Sequence, residues 1–179
     1  MEKIRGSVKQ KIPKRVAIIG PPGSGKSTFA IKLGNLLNIA VHHLDVHMFI
    51  GDIKRDKQEF LEIQRKIIAE DSWIIEGCSI STLEMRFARA DTVLYLDFLP
   101  LLCIWRVCKR ALFHHEDLAG SGCAKVVNRE LLKYIWTFKR EKGAAVNELK
   151  RRYPGLNLKA FSSTKDFQNY LEEAAGFKE

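Results

Sequence analysis

The chain has 179 residues, of which 46% are hydrophobic and 28% charged, the balance of one ordinary globular domain with a substantial core. No run approaches the roughly 18 uncharged apolar residues of a membrane span, and the basic start MEKIRGSVKQKIPKR has no apolar stretch behind it, so neither a span nor a secretory signal is expected and the location read from the sequence is cytoplasmic. The net charge of +9 is uneven: residues 1–15 carry six Lys/Arg against one Glu, and residues 99–153 carry twelve against five, which calls for an anionic partner, either a phosphorylated ligand or nucleic acid.

Residues 1–13, ending at Pro13, read as a flexible basic arm ahead of a single domain over 14–179. RVAIIG (15–20) is a short β-branched run that ends at glycine, the pattern of a buried parallel strand. Phe29, Ala30, Leu33, Leu36 and Leu37 then recur at helical spacing between Lys26 and Asn38. AVHHLD (40–45) is a second strand ending in an acid, and 57–70 a helix with Phe60, Ile63, Ile67 and Ile68 on one face. SWIIEG (72–77) and TVLYLDF (92–98) are the third and fourth strands. A helix is expected over 100–113, a loop over 114–123, and a long helix from about Val126 to Tyr153 with a break near Gly143. NLKAFS (157–162) is a fifth strand and 165–175 a closing helix. Strands alternating with helices predict an α/β fold, a parallel sheet covered on both faces. The four cysteines (Cys78, Cys103, Cys108 and Cys123) have no metal-finger or redox spacing and read as reduced packing residues.

Between the first strand and the first helix lies GPPGSGKST, from Gly20 through Pro21, Pro22, Gly23, Ser24, Gly25, Lys26 and Ser27 to Thr28. It fits G-x-x-x-x-G-K-[ST] at every specified position. Glycines let successive backbone N–H groups turn inward on phosphate oxygens, and the following helix adds the positive end of its dipole. Lys26 is expected to reach the β- and γ-phosphates of ATP, and Ser27 to offer its hydroxyl to Mg2+. No guanine-reading N-K-x-D is present, and the chain is too short for a helicase core.

Asp45, Glu76 and Asp97 each close a predicted strand, where ligands of open α/β sheets bind. One of them is expected to serve as the acid beside Ser27; by pattern Asp97 is the better match and Glu76 its rival. Arg106, Lys109 and Arg110 share a helical face, and Arg129, Lys133, Lys139 and Arg140 follow the 114–125 loop. Cations on both sides of a glycine-containing loop read as a lid, over 111–128, that closes on phosphates. His43, Asp45 and His47 would alternate onto one side if the second strand continued, so a metal site competes there with a role as ligands of substrate or backbone.

Taken together, GPPGSGKST, an Asp after strand two, WIIEG after strand three, and LDF followed by Arg106-x-x-x-Arg110 resemble the adenylate-kinase-like P-loop kinases. More narrowly, HHLD, SWIIEG, ARADTVLYLDFLPLLCIWRVCKR and YIWTFKR resemble small bacterial proteins labelled topology modulation protein or adenylate kinase-related kinase, over roughly residues 15–175. The resemblance implies a five-stranded parallel sheet of order 2-3-1-4-5, and this places strand three beside the P-loop strand and favours Glu76 over Asp97 as the magnesium-side acid. It further implies an acceptor segment at 46–72, Arg110 and Arg140 as phosphate clamps, Arg106 on the nucleotide side, and the adenine near Ser162 to Lys165. Where adenylate kinases show D-G-F-P-R after strand three, this chain reads EGCSIS, and its nearest arginine is Arg86.

The function expected from these readings is transfer of the γ-phosphate of Mg-ATP to a small acceptor held by Asp45, Arg55, Glu76 and Arg86. For a hydroxyl acceptor Asp45 is the base. For a nucleoside monophosphate Arg55 and Arg86 hold the phosphate. The rival expectation is a nucleotide-dependent nucleic-acid-binding or regulatory protein that grips backbone phosphates with its basic surfaces, so that binding weakens steeply with salt. No nucleic-acid-binding motif accompanies it.

Overall fold

A computed structural model describes residues 12–50, 53–113 and 127–176. Most of the basic arm and residues 114–126 of the expected lid lie outside these residues.

The elements follow one another as β1 (Arg15–Ile19), α1 (Lys26–Leu37), β2 (Val41–His43), α2 (Leu44–Met48), β3 (Phe49–Ile50), β4 (Ile53–Lys54), α3 (Lys57–Ala69), β5 (Trp73–Glu76), a 3-10 turn (Ile80–Thr82), α4 (Leu83–Arg89), β6 (Thr92–Leu96), α5 (Pro100–Phe113), α6 (Arg129–Arg152), β7 (Asn157–Phe161) and α7 (Thr164–Ala175). The main sheet runs β2-β5-β1-β6-β7 with every pairing parallel. Counted along its own five strands this is the expected 2-3-1-4-5 order. β3 and β4 form a separate antiparallel pair beside the site.

Side chains alternate across the sheet and so build two cores. Val16, Ile18, Ile74, Leu94 and Leu96 face Phe29 and Leu33 of α1, Cys103 and Val107 of α5, and Phe167 and Tyr170 of α7. On the other face Ala17, Ile19, Trp73, Ile75, Val93 and Tyr95 meet Phe60 of α3, Phe87 of α4, and Phe138, Val146 and Leu149 of α6. β1 is enclosed on both sides, which explains why its sequence is a continuous apolar run rather than an alternating one.

Three expectations are corrected here. The long helix is unbroken through Gly143, because α6 packs Phe138 and Val146 into the same core on either side of that residue. The segment between Cys78 and Asp91, for which no helix is expected from sequence, contains α4, which buries Leu83 and Phe87. The second strand stops at His43 rather than running to Asp45. Its partner explains this: the ladder pairs Val41, His42 and His43 with Ile74, Ile75 and Glu76, where β5 itself ends, so residues beyond His43 have no strand to bond. The chain turns into α2 instead, and Leu44 is fully buried as it does so.

Cys78, Cys103 and Cys108 are free thiols. Among the described residues no helix is long and apolar enough to cross a membrane.

Candidate active site

The P-loop joins β1 to α1 beyond the carboxyl end of the sheet. Two of its glycines are required for different reasons. At Gly23, with φ +81°, a Cβ would stand 2.3 Å from the Cys103 carbonyl oxygen and 2.8 Å from Val107 Cγ2, so the loop is pressed against α5 with no room for a side chain. At Gly25, with φ +92°, a Cβ would meet nothing within 4 Å, and only the left-handed backbone demands glycine. Gly23→Ala is therefore expected to cost about 2–4 kcal/mol of stability through overpacking and backbone strain together, against about 1–2 for Gly25→Ala through strain alone. Urea unfolding of both variants checks this, and equal losses would refute it.

Lys26 Nζ donates to Pro21 O at 3.2 Å, which folds the lysine along its own loop. Ser27 is buried and its hydroxyl donates to Glu76 Oε1 at 3.0 Å. The same carboxylate oxygen lies 2.8 Å from His43 Nδ1. Burial alone would push the Glu76 carboxyl up, but the His43 hydrogen bond and the nearby charge of Lys26 outweigh it and hold the group below its ordinary value. An ionised Glu76 only accepts hydrogen bonds, so His43 Nδ1 carries the proton. A hydroxyl and a carboxylate, with the carboxylate held from behind by histidine, form a hard oxygen donor set that suits Mg2+. Asp97, the alternative acid, is instead paired with Lys139 Nζ at 2.8 Å.

The histidines do not form the alternating row that a longer strand would give, because α2 intervenes after His43. His42 and His47 lie ring to ring at 6.0 Å, and burial pushes both below the ordinary imidazole pKa. Among the described residues no group of three or more His, Cys, Asp or Glu is arranged to hold a metal.

Asp45, in the first turn of α2, opens onto a recess of about 150 Å³ that it shares with Lys26, Pro22, Met48, Cys78, Ser79 and Tyr134. Asp45 is exposed as a whole residue, yet partial burial of its carboxyl pushes that group above the ordinary range, and Glu76 adds to the rise while Lys26 and His43 oppose it. Asp45 and Lys26, which lie nineteen positions apart in sequence, thus line the same small volume.

Three of the arginines expected to meet phosphates, Arg86, Arg55 and Arg140, lie near protein partners. Arg86 is fully buried; its two terminal nitrogens donate to Gly77 O at 2.9 Å and Ser79 O at 2.8 Å. Its guanidinium builds the turn after β5, which corrects its expected role as a grip on an acceptor phosphate. Arg55 donates through Nε to His47 O at 2.9 Å and pairs with Glu59, closing the segment around the β3–β4 hairpin. Arg140 stands on the exposed face of α6 with Glu141 as its neighbour, and is not among the residues that line the recess.

Arg106 reaches the P-loop from α5. It donates to Ser24 O at 3.3 Å and Thr164 Oγ1 at 2.7 Å, and its guanidinium lies over the Phe98 ring. These bonds tie the P-loop to the start of α7, where Ser163 and Asp166 close a capping box. The 162–165 segment therefore borders the P-loop through Arg106. Arg110 follows one turn later on α5.

Met48, Cys78, Ser79 and Tyr134 are site residues that sequence reading misses. Cys78, read as a packing residue, donates its thiol to Gly20 O at 2.7 Å and faces the recess. The one signal for it is its place directly after the EG that ends β5.

No family model and no curated protein sequence matches the chain. Solved structures do. The chain is similar to a shikimate kinase from Acinetobacter baumannii in complex with shikimate, with a TM-score of 0.60, 13% identity, and 92% of this chain and 94% of that one covered. It is also similar to a gluconokinase from Sinorhizobium meliloti 1021, with a TM-score of 0.56, 13% identity, and coverage of 94% and 93%. A shikimate kinase from Bacteroides thetaiotaomicron aligns at a TM-score of 0.50 and 16% identity over 93% and 98% of the two chains. The fold is that of the small P-loop kinases, carried over nearly the whole chain.

Proposed function

We propose that this protein is a phosphotransferase that moves the γ-phosphate of Mg-ATP to a hydroxyl of a small acceptor bound in the recess. The observation that carries the proposal is the sharing of that recess by Lys26 and Asp45, a phosphate-binding cation and a carboxylate with a raised pKa. In the reaction the acceptor oxygen forms a bond to the γ-phosphorus and the bond to the ADP oxygen breaks. The acceptor's proton passes to Asp45. Lys26 balances negative charge on the phosphates, and backbone N–H groups of the loop hold them in place. Ser27 and Glu76 would hold Mg2+, whose charge supports the departing ADP when it is bound. Arg106 supports the nucleotide side, with the adenine proposed near residues 162–165.

The structural neighbours named for a small hydroxyl acid, shikimate or gluconate, support a small acceptor. Membership in the adenylate kinase-related group with topology modulation labels is supported by the P-loop, the EG after β5, and the Arg106–Arg110 pair. A nucleoside monophosphate as acceptor is the weaker reading, since Arg55 and Arg86 are committed to Glu59 and to backbone carbonyls. Reduced thiols fit the proposed cytoplasmic location.

A coupled ADP-release assay against polyols, sugars, nucleosides and nucleoside monophosphates tests the proposal, with Lys26→Ala as the blank. A hydroxyl compound should raise ADP release well above that blank. If none of the compounds does, the kinase reading is wrong.

A further inference from the structure

We propose that the acceptor is an uncharged hydroxyl compound with one apolar face, no larger than about a single sugar ring, and that the Tyr134 ring is the surface on which that face rests. The inference rests on the phosphotransferase reading and narrows it.

The lining of the recess divides by chemistry. Pro22, Met48 and Tyr134 form an apolar wall, and Cys78 joins it, because its thiol hydrogen is turned away to the Gly20 carbonyl. Asp45, Lys26 and Ser79 are the polar groups. Among the described residues that line the recess Lys26 is the one cation, and in catalysis its place is on the donor phosphates. A carboxylate or phosphate on the acceptor would thus face Asp45, and Lys142, whose Nζ lies 6.0 Å from the centroid of the Tyr134 ring, stands outside the described lining. Arg55 and Arg86, the arginines expected to hold an acceptor phosphate, are held by Glu59, the His47 carbonyl and the Gly77 and Ser79 carbonyls. Like charges brought together in a partly desolvated site repel strongly.

Size points the same way. The recess of about 150 Å³ falls below the roughly 300–1,000 Å³ of pockets that take drug-sized ligands. Tyr134 reaches it from α6 and is fixed edge-on against Phe138, with ring centroids 5.7 Å apart. A ring held in this way offers a flat apolar surface to the C–H face of a cyclic or branched polyol, while hydroxyls on the opposite edge meet Asp45 and Ser79. Ser79 Oγ lies 3.3 Å from Ser81 Oγ, so its hydroxyl already has one partner and can still engage another.

The test compares neutral and anionic acceptors on the same carbon skeleton: gluconamide with gluconate, and the methyl ester of shikimate with shikimate, each followed by transfer of labelled γ-phosphate from ATP. The expected result is a neutral member preferred over its acid by about tenfold or more in kcat/KM. Tyr134→Ala is expected to raise the acceptor KM about tenfold with a much smaller change in kcat, while Tyr134→Phe, which keeps the ring, recovers most of the loss in KM. Preference for the anionic members, or for nucleoside monophosphates, would overturn the inference and leave the phosphotransferase reading standing. A KM unmoved in Tyr134→Ala would remove Tyr134 from the acceptor site. Transfer to no acceptor of any kind would defeat both readings together.

Discussion

Asp45→Asn is expected to lower kcat for a hydroxyl acceptor by about 10²–10⁴-fold and, at the same time, to raise the melting temperature of the protein. Loss of activity follows from removal of the group that takes the acceptor's proton. The gain in stability follows from the direction of the Asp45 shift. Burial, with Glu76 adding to it, raises the folded-state pKa above the ordinary value of 3.8, so the native chain holds this proton more tightly than the unfolded chain does. Stability therefore falls as pH rises from the unfolded pKa through the folded one, a penalty that solvent around this exposed residue keeps small. Asparagine carries no charge and escapes it. For the wild type, kcat/KM should rise with pH along a limb set above the usual aspartate range, and this limb should vanish in Asp45→Asn. Steady-state kinetics across pH and a thermal melt of both proteins check the pair of effects. A variant that is both inactive and less stable would point to a structural role for Asp45 instead.

Arg86→Met should be the most destabilising change at the site's edge. The guanidinium is fully buried, and burial lowers its pKa to about 10, so it remains charged at neutral pH. Replacement by methionine keeps much of the volume and relieves the cost of a buried charge, part of which is real because Nε has no hydrogen-bond partner. Against that gain, the Gly77 carbonyl loses its donor and the Ser79 carbonyl keeps only the Thr82 hydroxyl at 3.3 Å, and an orphaned buried group costs about 1–3 kcal/mol. The second effect is expected to win, for a net loss of about 2–4 kcal/mol. Arg86→Lys should lie between, since an ammonium is a point donor and does not match the fork that spans two carbonyls. Urea unfolding with an unchanged slope reads the loss directly. The same turn carries Cys78 and Ser79 into the recess, so acceptor KM should rise in Arg86→Met even at temperatures where the variant is folded.

The sheet was legible in the sequence because its central strands are buried on both faces. VAII, WII and VLYL are runs of apolar and aromatic residues, and Gly20 and Gly77 mark where two of them end. The phosphate cradle was legible for the same local reason, since each of its residue types answers a nearby backbone or phosphate requirement. Glu76 needed one more step, the strand order, which sets β5 beside β1 and brings its last residue to Ser27. What stayed hidden depends on contacts far apart in the chain. The end of β2 is decided by the end of β5, thirty-three residues later, and no pattern around His43 reports it. Arg86 reads as a holder of an acceptor phosphate because arginines are rarely buried, and only α4, itself unforeseen, turns it inward. Tyr134 enters the recess because α6 crosses above it, a consequence of how Phe138 and Val146 pack.

The central claim is that phosphate leaves ATP for the hydroxyl of a small acceptor and not for water. ADP release alone does not separate these fates, whereas the destination of the γ-phosphate does. A single-turnover reaction with γ-labelled ATP, resolved into acceptor phosphate and inorganic phosphate, measures it. The label is expected on the acceptor in the wild type, on neither product in Lys26→Ala, and on the acceptor only at a trace level in Asp45→Asn. Label recovered solely as inorganic phosphate, or unmoved from ATP with every acceptor tried, would contradict the proposed reaction.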